Sequence, residues 1–171
     1  MRLFRKSALQ KKYPLITWEN TPILRIVCDE VKKITPEVKQ FCKDILELMR
    51  EYEGVGLAAP QINQNYRIAA VTQRDTEHTN KKWDIERKLL DEFVMINPRV
   101  LSRSDEMWIS EEACLSLPKI KGDVARPESI TIQYTCSKGK THIHKATGFN
   151  ARVILHEMDH LDGVLFIDKL E

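Results

Sequence analysis

No apolar run in this 171-residue chain approaches the roughly 18 residues that cross a membrane, and no apolar core of a secretory leader is visible. Neither a membrane span nor a secreted protein is expected. A charge of one sign is missing as well. Lys and Arg number 27 against 25 Asp and Glu, a net of +2, too small to argue for direct binding of nucleic acid or of an anionic membrane. The four cysteines, Cys28, Cys42, Cys114 and Cys136, show no paired spacing. A disulfide framework is not indicated, and reduced thiols in an intracellular protein are the expectation. Repeats and low-complexity linkers are absent, and the length suits one domain with its own core. Only the first 12 residues, MRLFRKSALQKK, are one-sided, with five Lys/Arg and no acid; a flexible, solvated basic tail is expected there.

Among the elements that are present, the first is a helix. Thr35-Pro36-Glu37 combines a capping side chain, a first-turn proline and an acid at the positive dipole end. Apolar residues then recur at Val38, Phe41, Cys42, Ile45, Leu48, Met49 and Tyr52, one helical stripe, with Gly54 as its expected stop. Arg67–Val71 and Phe93–Asn97 read as short strands. The polar stretch Gln73–Glu92 between them reads as a surface excursion, with a short helix around Asp84–Asp91. Ile130, Ile132, Tyr134 and Cys136 alternate with polar residues as in a half-buried strand. Ser137–Lys140 is a turn, and Thr141–Ala146 returns as a second hairpin arm. A last helix spans about Asn150 to Leu161, stopped by Gly163, before a final strand at Val164–Leu170. Hairpins without regular βαβ units predict an α+β fold, mostly antiparallel sheet packed around the C-terminal helix, with the second helix near the N-terminus.

That C-terminal helix carries His156-Glu157-Met158-Asp159-His160. Histidines four apart lie on one helical face and can reach one metal ion, and the adjacent glutamate is placed to handle a proton of water at that ion. The third ligand decides the enzyme. The extended motif H-E-x-x-H-x-x-G-x-x-H fits as far as Gly163 and fails at Phe166, where its third histidine belongs. A thermolysin-like glutamate is expected roughly twenty residues further on, beyond Glu171, where the given sequence stops. Asp162 and Asp168 lie too close to reach back around the helix easily, so an upstream ligand is expected. Cys114, in Glu111-Glu112-Ala113-Cys114-Leu115-Ser116-Leu117-Pro118, is the best upstream candidate. A lone intracellular cysteine is usually a buried structural thiol, which accounts for Cys28, Cys42 and Cys136. Cys114, flanked by acids and a proline, is less well explained that way. His142 and His144 share a strand face and stand behind it as alternatives, while His78 falls in the polar excursion.

Three segments then fit together: Gly54-Val55-Gly56-Leu57-Ala58-Ala59-Pro60-Gln61, Glu112-Ala113-Cys114-Leu115-Ser116, and His156-Glu157-Met158-Asp159-His160-Leu161-Asp162-Gly163. Together, and in this order, they resemble the peptide deformylases, whose motifs read GxGLAAxQ, EGCLS and HExDH. The resemblance covers roughly Ile23 to Leu170 and implies a single deformylase-like catalytic domain over 1–171. It implies that Cys114, His156 and His160 hold one divalent metal ion, Fe²⁺ first, with Zn²⁺, Ni²⁺ or Co²⁺ able to replace it. It makes Glu157 the general acid/base, and it gives Gln61 and the Leu115 N–H to the oxyanion and the Gly56 backbone to the substrate chain. Val55, Phe149 and Val153 are candidates to line the pocket for the methionine side chain. The implied substrate is the N-formyl-methionyl end of nascent chains, handled by a monomer in the cytoplasm or an organelle matrix. Ribosome contact is left open, because the C-terminal helix that many bacterial members carry does not follow Leu170 here. Two departures stand out. Ala113 replaces a glycine, which would strain the chain if the site needs positive φ. Arg152 replaces an apolar residue one turn before His156, at the edge of the substrate pocket or reaching solvent. Two other readings are an HExxH protease with a different third ligand and a binding protein that keeps the fold without catalysis.

Overall fold

The computed structural model describes residues 6–18, 21–75 and 89–171. Helix α1 spans Ala8–Lys12 and α2 spans Pro36–Glu51; strands β1 (Gly56–Ala58), β2 (Ile68–Arg74), β3 (Leu89–Arg103), β4 (Met107–Cys114), β5 (Leu117–Pro127), β6 (Ser129–Thr135) and β7 (Thr141–Thr147) follow, and α3 covers Gly148–Leu161. Five strands form one antiparallel sheet in the order β1-β2-β3-β6-β7; β4 and β5 form a separate antiparallel ribbon. The expected α+β fold with mostly antiparallel pairing is therefore what forms.

The sheet is covered on both faces, and β2 shows why. Its successive side chains point to opposite faces, yet Ile68 through Val71 are all fully buried. Ala69 and Val71 join a core with Ile132, Ala151, Val153 and Ile154, under α3. Ile68 and Ala70 join a second core with the apolar stripe of α2. The stripe read from the sequence, Val38 to Met49, is thus core. Thr35 caps α2 through Oγ1, which accepts from Val38 N at 3.3 Å.

Four expectations need correction, and a fifth falls mostly outside the described residues. Residues 7–12 are not a free tail: Ser7 and Gln10 close a reciprocal cap on α1, Ser7 Oγ donates to Glu51 at 2.6 Å, and Lys12 pairs with Asp44 at 3.2 Å. A five-residue helix is unstable alone, and docking on α2 holds it. The left-handed residue after α2 is Glu53 (φ 55), not Gly54. Gly54 instead leaves room, since a Cβ there would stand 3.0 Å from Gly56 O and from Leu115 Cδ1. The strand expected over Phe93–Asn97 is much longer, running through Pro98 with register shifts between Ile96 and Arg99 and again between Val100 and Ser102. A proline fits a strand at such an irregularity. The helix around Asp84–Asp91 lies outside the described residues up to 88, and Leu89–Asp91 belong to β3. Val164–Leu170 is not a strand: Phe166–Lys169 is a 3₁₀ turn, and only Leu170 bridges to Val124 of β5.

The β4–β5 ribbon escaped sequence reading altogether. Its inward residues on β4 are Trp108, Ser110, Glu112 and Cys114, while Met107 and Ile109 face out and are 52% and 57% exposed. Polar residues inside and apolar ones outside invert the usual strand pattern, because the inner face builds a site rather than a core.

Candidate metal centre and active site

Cys114 ends β4 at the tip of the ribbon. A two-residue turn, Leu115-Ser116, follows, and Pro118-Lys119-Ile120 bulge out of β5 before pairing resumes at Lys121. The bulge aims the tip at α3. There Cys114 Sγ lies 3.2 Å from His160 Nε2, and one donor atom each from Cys114, His156 and His160 fall within 4.8 Å of one another. The three residues come from two elements that only the tertiary fold brings together. Ala113 lies outside the left-handed region, so its replacement of glycine strains nothing.

A buried carboxylate orients His156. His156 Nδ1 bonds Glu112 Oε2 at 2.9 Å, which leaves Nε2 for the centre. Glu112 is fully buried and takes both Nε and Nη2 of Arg126. Burial opposes its charge, but Arg126 and His156 outweigh burial and keep it well below the usual carboxylate range. Burial likewise opposes a Cys114 thiolate, and the two imidazoles outweigh it and hold the thiol well below its ordinary value. A thiolate with two imidazoles is a donor set suited to a divalent transition metal. The orphaned polar atom at the cluster agrees: the buried Glu157 Oε2 has no hydrogen-bond partner among the described residues.

Glu157 points to the same spot. Burial pushes its carboxyl up to about 7, where a proton acceptor works at neutral pH. Gly56 makes that position possible: a Cβ there would overlap Glu157, lying 2.7 Å from Cδ and Cγ and closer still to Oε1. Gln61 follows β1 in a 3₁₀ turn. Its Oε1 accepts from Ala58 N at 2.8 Å, which turns the amide nitrogen toward Ser116 Oγ (3.2 Å) and Cys114 Sγ (3.5 Å). The last residue of the Gly54–Gln61 segment thus presents donors beside the thiolate.

The cluster opens into a cavity of about 460 Å³ lined by Gly54, Val55, Gly56, Gln61, Cys114, Leu115, Val153, His156 and Glu157, with Glu53, Glu111, Ala113, Pro118 and Lys121 toward its rim. His160 lies behind it, 1% exposed. Phe149 is not in the wall; it is buried in the core cluster that contains Val153. Arg152 neither edges the cavity nor reaches solvent. It is 1% exposed and pairs with Glu112 Oε1 at 2.7 Å. His142 and His144 stand on β7, the sheet edge opposite β1, against Tyr134 and Phe93. Asp162 pairs with Arg67 and Asp168 with Arg25, so neither joins the cluster. Sequence reading gave no role to Glu112, Arg126 or Ser116. The acid two residues before Cys114 was the one visible signal.

A thiolate and two imidazoles at one point, a buried carboxylate on the same helix and an adjoining cleft define a metal-dependent hydrolase. Comparison with known proteins narrows the class. The family model described as polypeptide deformylase matches residues 13–171, and the chain belongs to that family, whose members remove N-formyl groups from new polypeptides. A peptide deformylase of Finegoldia magna is 37% identical over 155 residues, 91% of this chain and 88% of that protein. The Met-Ala-Ser-bound class I type b enzyme of Acinetobacter baumannii superposes with a TM-score of 0.81 at 30% identity, covering 92% of this chain and 98% of that one. The Synechococcus elongatus enzyme in complex with actinonin gives 0.79 at 34% identity, over 98% and 82%. No helix among the described residues is long and apolar enough to cross a membrane.

Proposed function

We propose that the chain deformylates N-formyl-methionyl ends of nascent polypeptides using one divalent ion held by Cys114, His156 and His160, with Fe²⁺ as the native metal. The observation that carries this reading is the convergence of the Cys114 sulfur, the two imidazoles and the unpartnered Glu157 carboxylate at one buried point. When bound, the ion supplies Lewis acidity, polarising the formyl carbonyl and making water nucleophilic at neutral pH. Glu157 takes the proton of the attacking water and delivers it to the departing amine nitrogen. The Gln61 amide, locked by Ala58 N, and the Leu115 N–H donate to the developing oxyanion, each worth about 3 kcal/mol in the transition state.

Main-chain recognition follows from two free edges. Among the described residues β1 pairs only with β2, and β4 only with β5, and both line the cleft. An extended peptide between them gains backbone hydrogen bonds, including those at Gly56, with little sequence preference. Val55 and Val153 supply apolar wall for the methionine side chain. The protein works as a monomer in the compartment where formylated chains are made, the cytoplasm first.

Formate release from a formyl-Met peptide by anaerobically purified protein, with metal analysis of the same sample, tests the reading. The parent is expected to turn over with one metal per chain. Cys114→Ala should lose the metal, and Glu157→Ala should keep it and lose activity. A metal-loaded parent that releases no formate refutes the proposal.

A further inference from the structure

Arg152 lies one turn before His156 on α3, and its guanidinium runs into the β4–β5 ribbon. Nη1 donates to Glu112 Oε1 at 2.7 Å and to Val124 O at 2.9 Å, with a longer contact to Ser110 O at 3.4 Å. Nη2 donates to Trp108 O, and the Trp108 ring covers the guanidinium at 4.7 Å from its centroid. One side chain therefore bonds the backbone of both ribbon strands.

Arg152, His156 and Asp159 occupy one stripe of α3. Between them they address two linked ribbon residues, Glu112 and Arg126. Arg152 and His156 take the two oxygens of Glu112; Asp159 takes Arg126 Nη1 at 2.8 Å, and Arg126 returns to Glu112. Charges alternate along this row, Arg152, Glu112, Arg126, Asp159, so a buried arginine beside a metal site is compensated within the row. Among the described residues the ribbon shares no hydrogen-bond ladder with the five-stranded sheet. Backbone bonds hold it elsewhere, Trp18 N to Ser116 O at 2.7 Å and Glu171 N to Asp123 O at 3.1 Å, but its hydrogen bonds to α3 run through side chains, and the separation they help set brings Cys114 to His156 and His160. The other two ties, His156–Glu112 and Asp159–Arg126, join side chain to side chain; Arg152 alone among the three grips ribbon backbone.

We propose that Arg152 is a positioning residue of the metal centre: it clamps the backbone of β4 and β5, and Glu112 with them, to α3, and so sets Cys114 and orients His156 for the ion. The proposal rests on the reading that Cys114, His156 and His160 hold a metal. It requires a planar fork with several donors, which lysine lacks.

The full chain is tested as parent, Arg152→Met, Arg152→Lys and Ile154→Ala, the last removing buried methylenes from the core side of the same helix. Co²⁺ affinity by chelator competition, the thiolate-to-cobalt charge-transfer absorption at saturating Co²⁺ and Tm without metal are compared. Both Arg152 variants are expected to bind Co²⁺ about tenfold more weakly or worse and to change the charge-transfer band, methionine more than lysine. Ile154→Ala is expected to lower Tm and leave affinity and band alone. Arg152 variants with the parent's affinity and band, or with losses no greater than those of Ile154→Ala, overturn the proposal. If Arg152→Met does not fold, Arg152→Lys decides by the same readouts. A parent without the band removes the proposal together with the Cys114 reading, a failure seen without any Arg152 variant.

Discussion

Gly56→Ala tests whether the space beside Glu157 is what that glycine provides. An alanine Cβ would stand 2.7 Å from Glu157 Cδ and Cγ, whereas relaxed carbon contacts begin near 3.5 Å. The carboxyl must therefore move by about 0.8 Å. It has little room to do so, being only 4% exposed and flanked on its own helix by the buried His156 and His160. A misplacement of that size at a reacting group typically lowers the rate about 100-fold, or ~2.7 kcal/mol in the barrier. The expected result is a kcat for formate release down about 100-fold with KM within a few-fold, because the Gly56 backbone stays available to the peptide. Overpacking should also destabilise the fold by about 1–3 kcal/mol, read as a lower Tm. Both effects should depend on the Glu157 side chain. In a Glu157→Ala background the added methyl group meets no carboxyl, so Gly56→Ala should leave Tm unchanged. An equal Tm loss in both backgrounds, or a defect confined to KM, would refute the reasoning and return Gly56 to a purely peptide-binding role.

The remaining predictions concern charge and redox chemistry. Burial holds the Glu157 carboxyl at about 7 against an ordinary 4.5, so the metal-free fold favours the protonated acid. A raised acid contributes stability in full below pH 4.5 and loses it as pH rises through about 7. Metal-free Glu157→Gln should consequently be more stable than the parent above pH 7, on the order of 3 kcal/mol, with the advantage vanishing toward pH 4.5; parallel Tm-against-pH curves would contradict this. Gln61→Leu removes a donor beside Cys114 and should lower kcat roughly 100-fold while metal content stays at the parent's level. Iron held by the Cys114 thiolate should be lost to oxidation in air, with nickel or cobalt substitution preserving activity; a fully active, air-stable iron form would count against that ligand set.

The parts of the site that were legible in sequence are those whose geometry is local. The α2 stripe, the β6–β7 hairpin and the His156–His160 pair follow from helical or strand periodicity, which fixes side-chain direction within a few residues. The ribbon was not legible, because its buried face carries Ser110, Glu112 and Cys114 while Met107 and Ile109 face solvent. The final segment read as a strand on its apolar content. Phe166 instead packs on His156 and into the small core around Leu117, Val124 and Cys114, which a 3₁₀ turn permits. Arg152 was misplaced for a related reason. A charged residue amid apolar neighbours reads as surface, and only the buried Glu112, fully enclosed, explains why it turns inward.

By itself the sequence determined a helix bearing two histidines and a glutamate, and a set of motifs pointing to one family. Helical spacing alone puts His156, Glu157 and His160 in register, so no long-range information was needed. Tertiary structure decided which sulfur joins them, through the bulge that aims Cys114 at α3 and the Arg152–Glu112–Arg126–Asp159 row that binds ribbon to helix. It also decided that Gly56 is the space Glu157 occupies. Those are contacts between distant segments, settled by packing and charge pairing that no local period encodes.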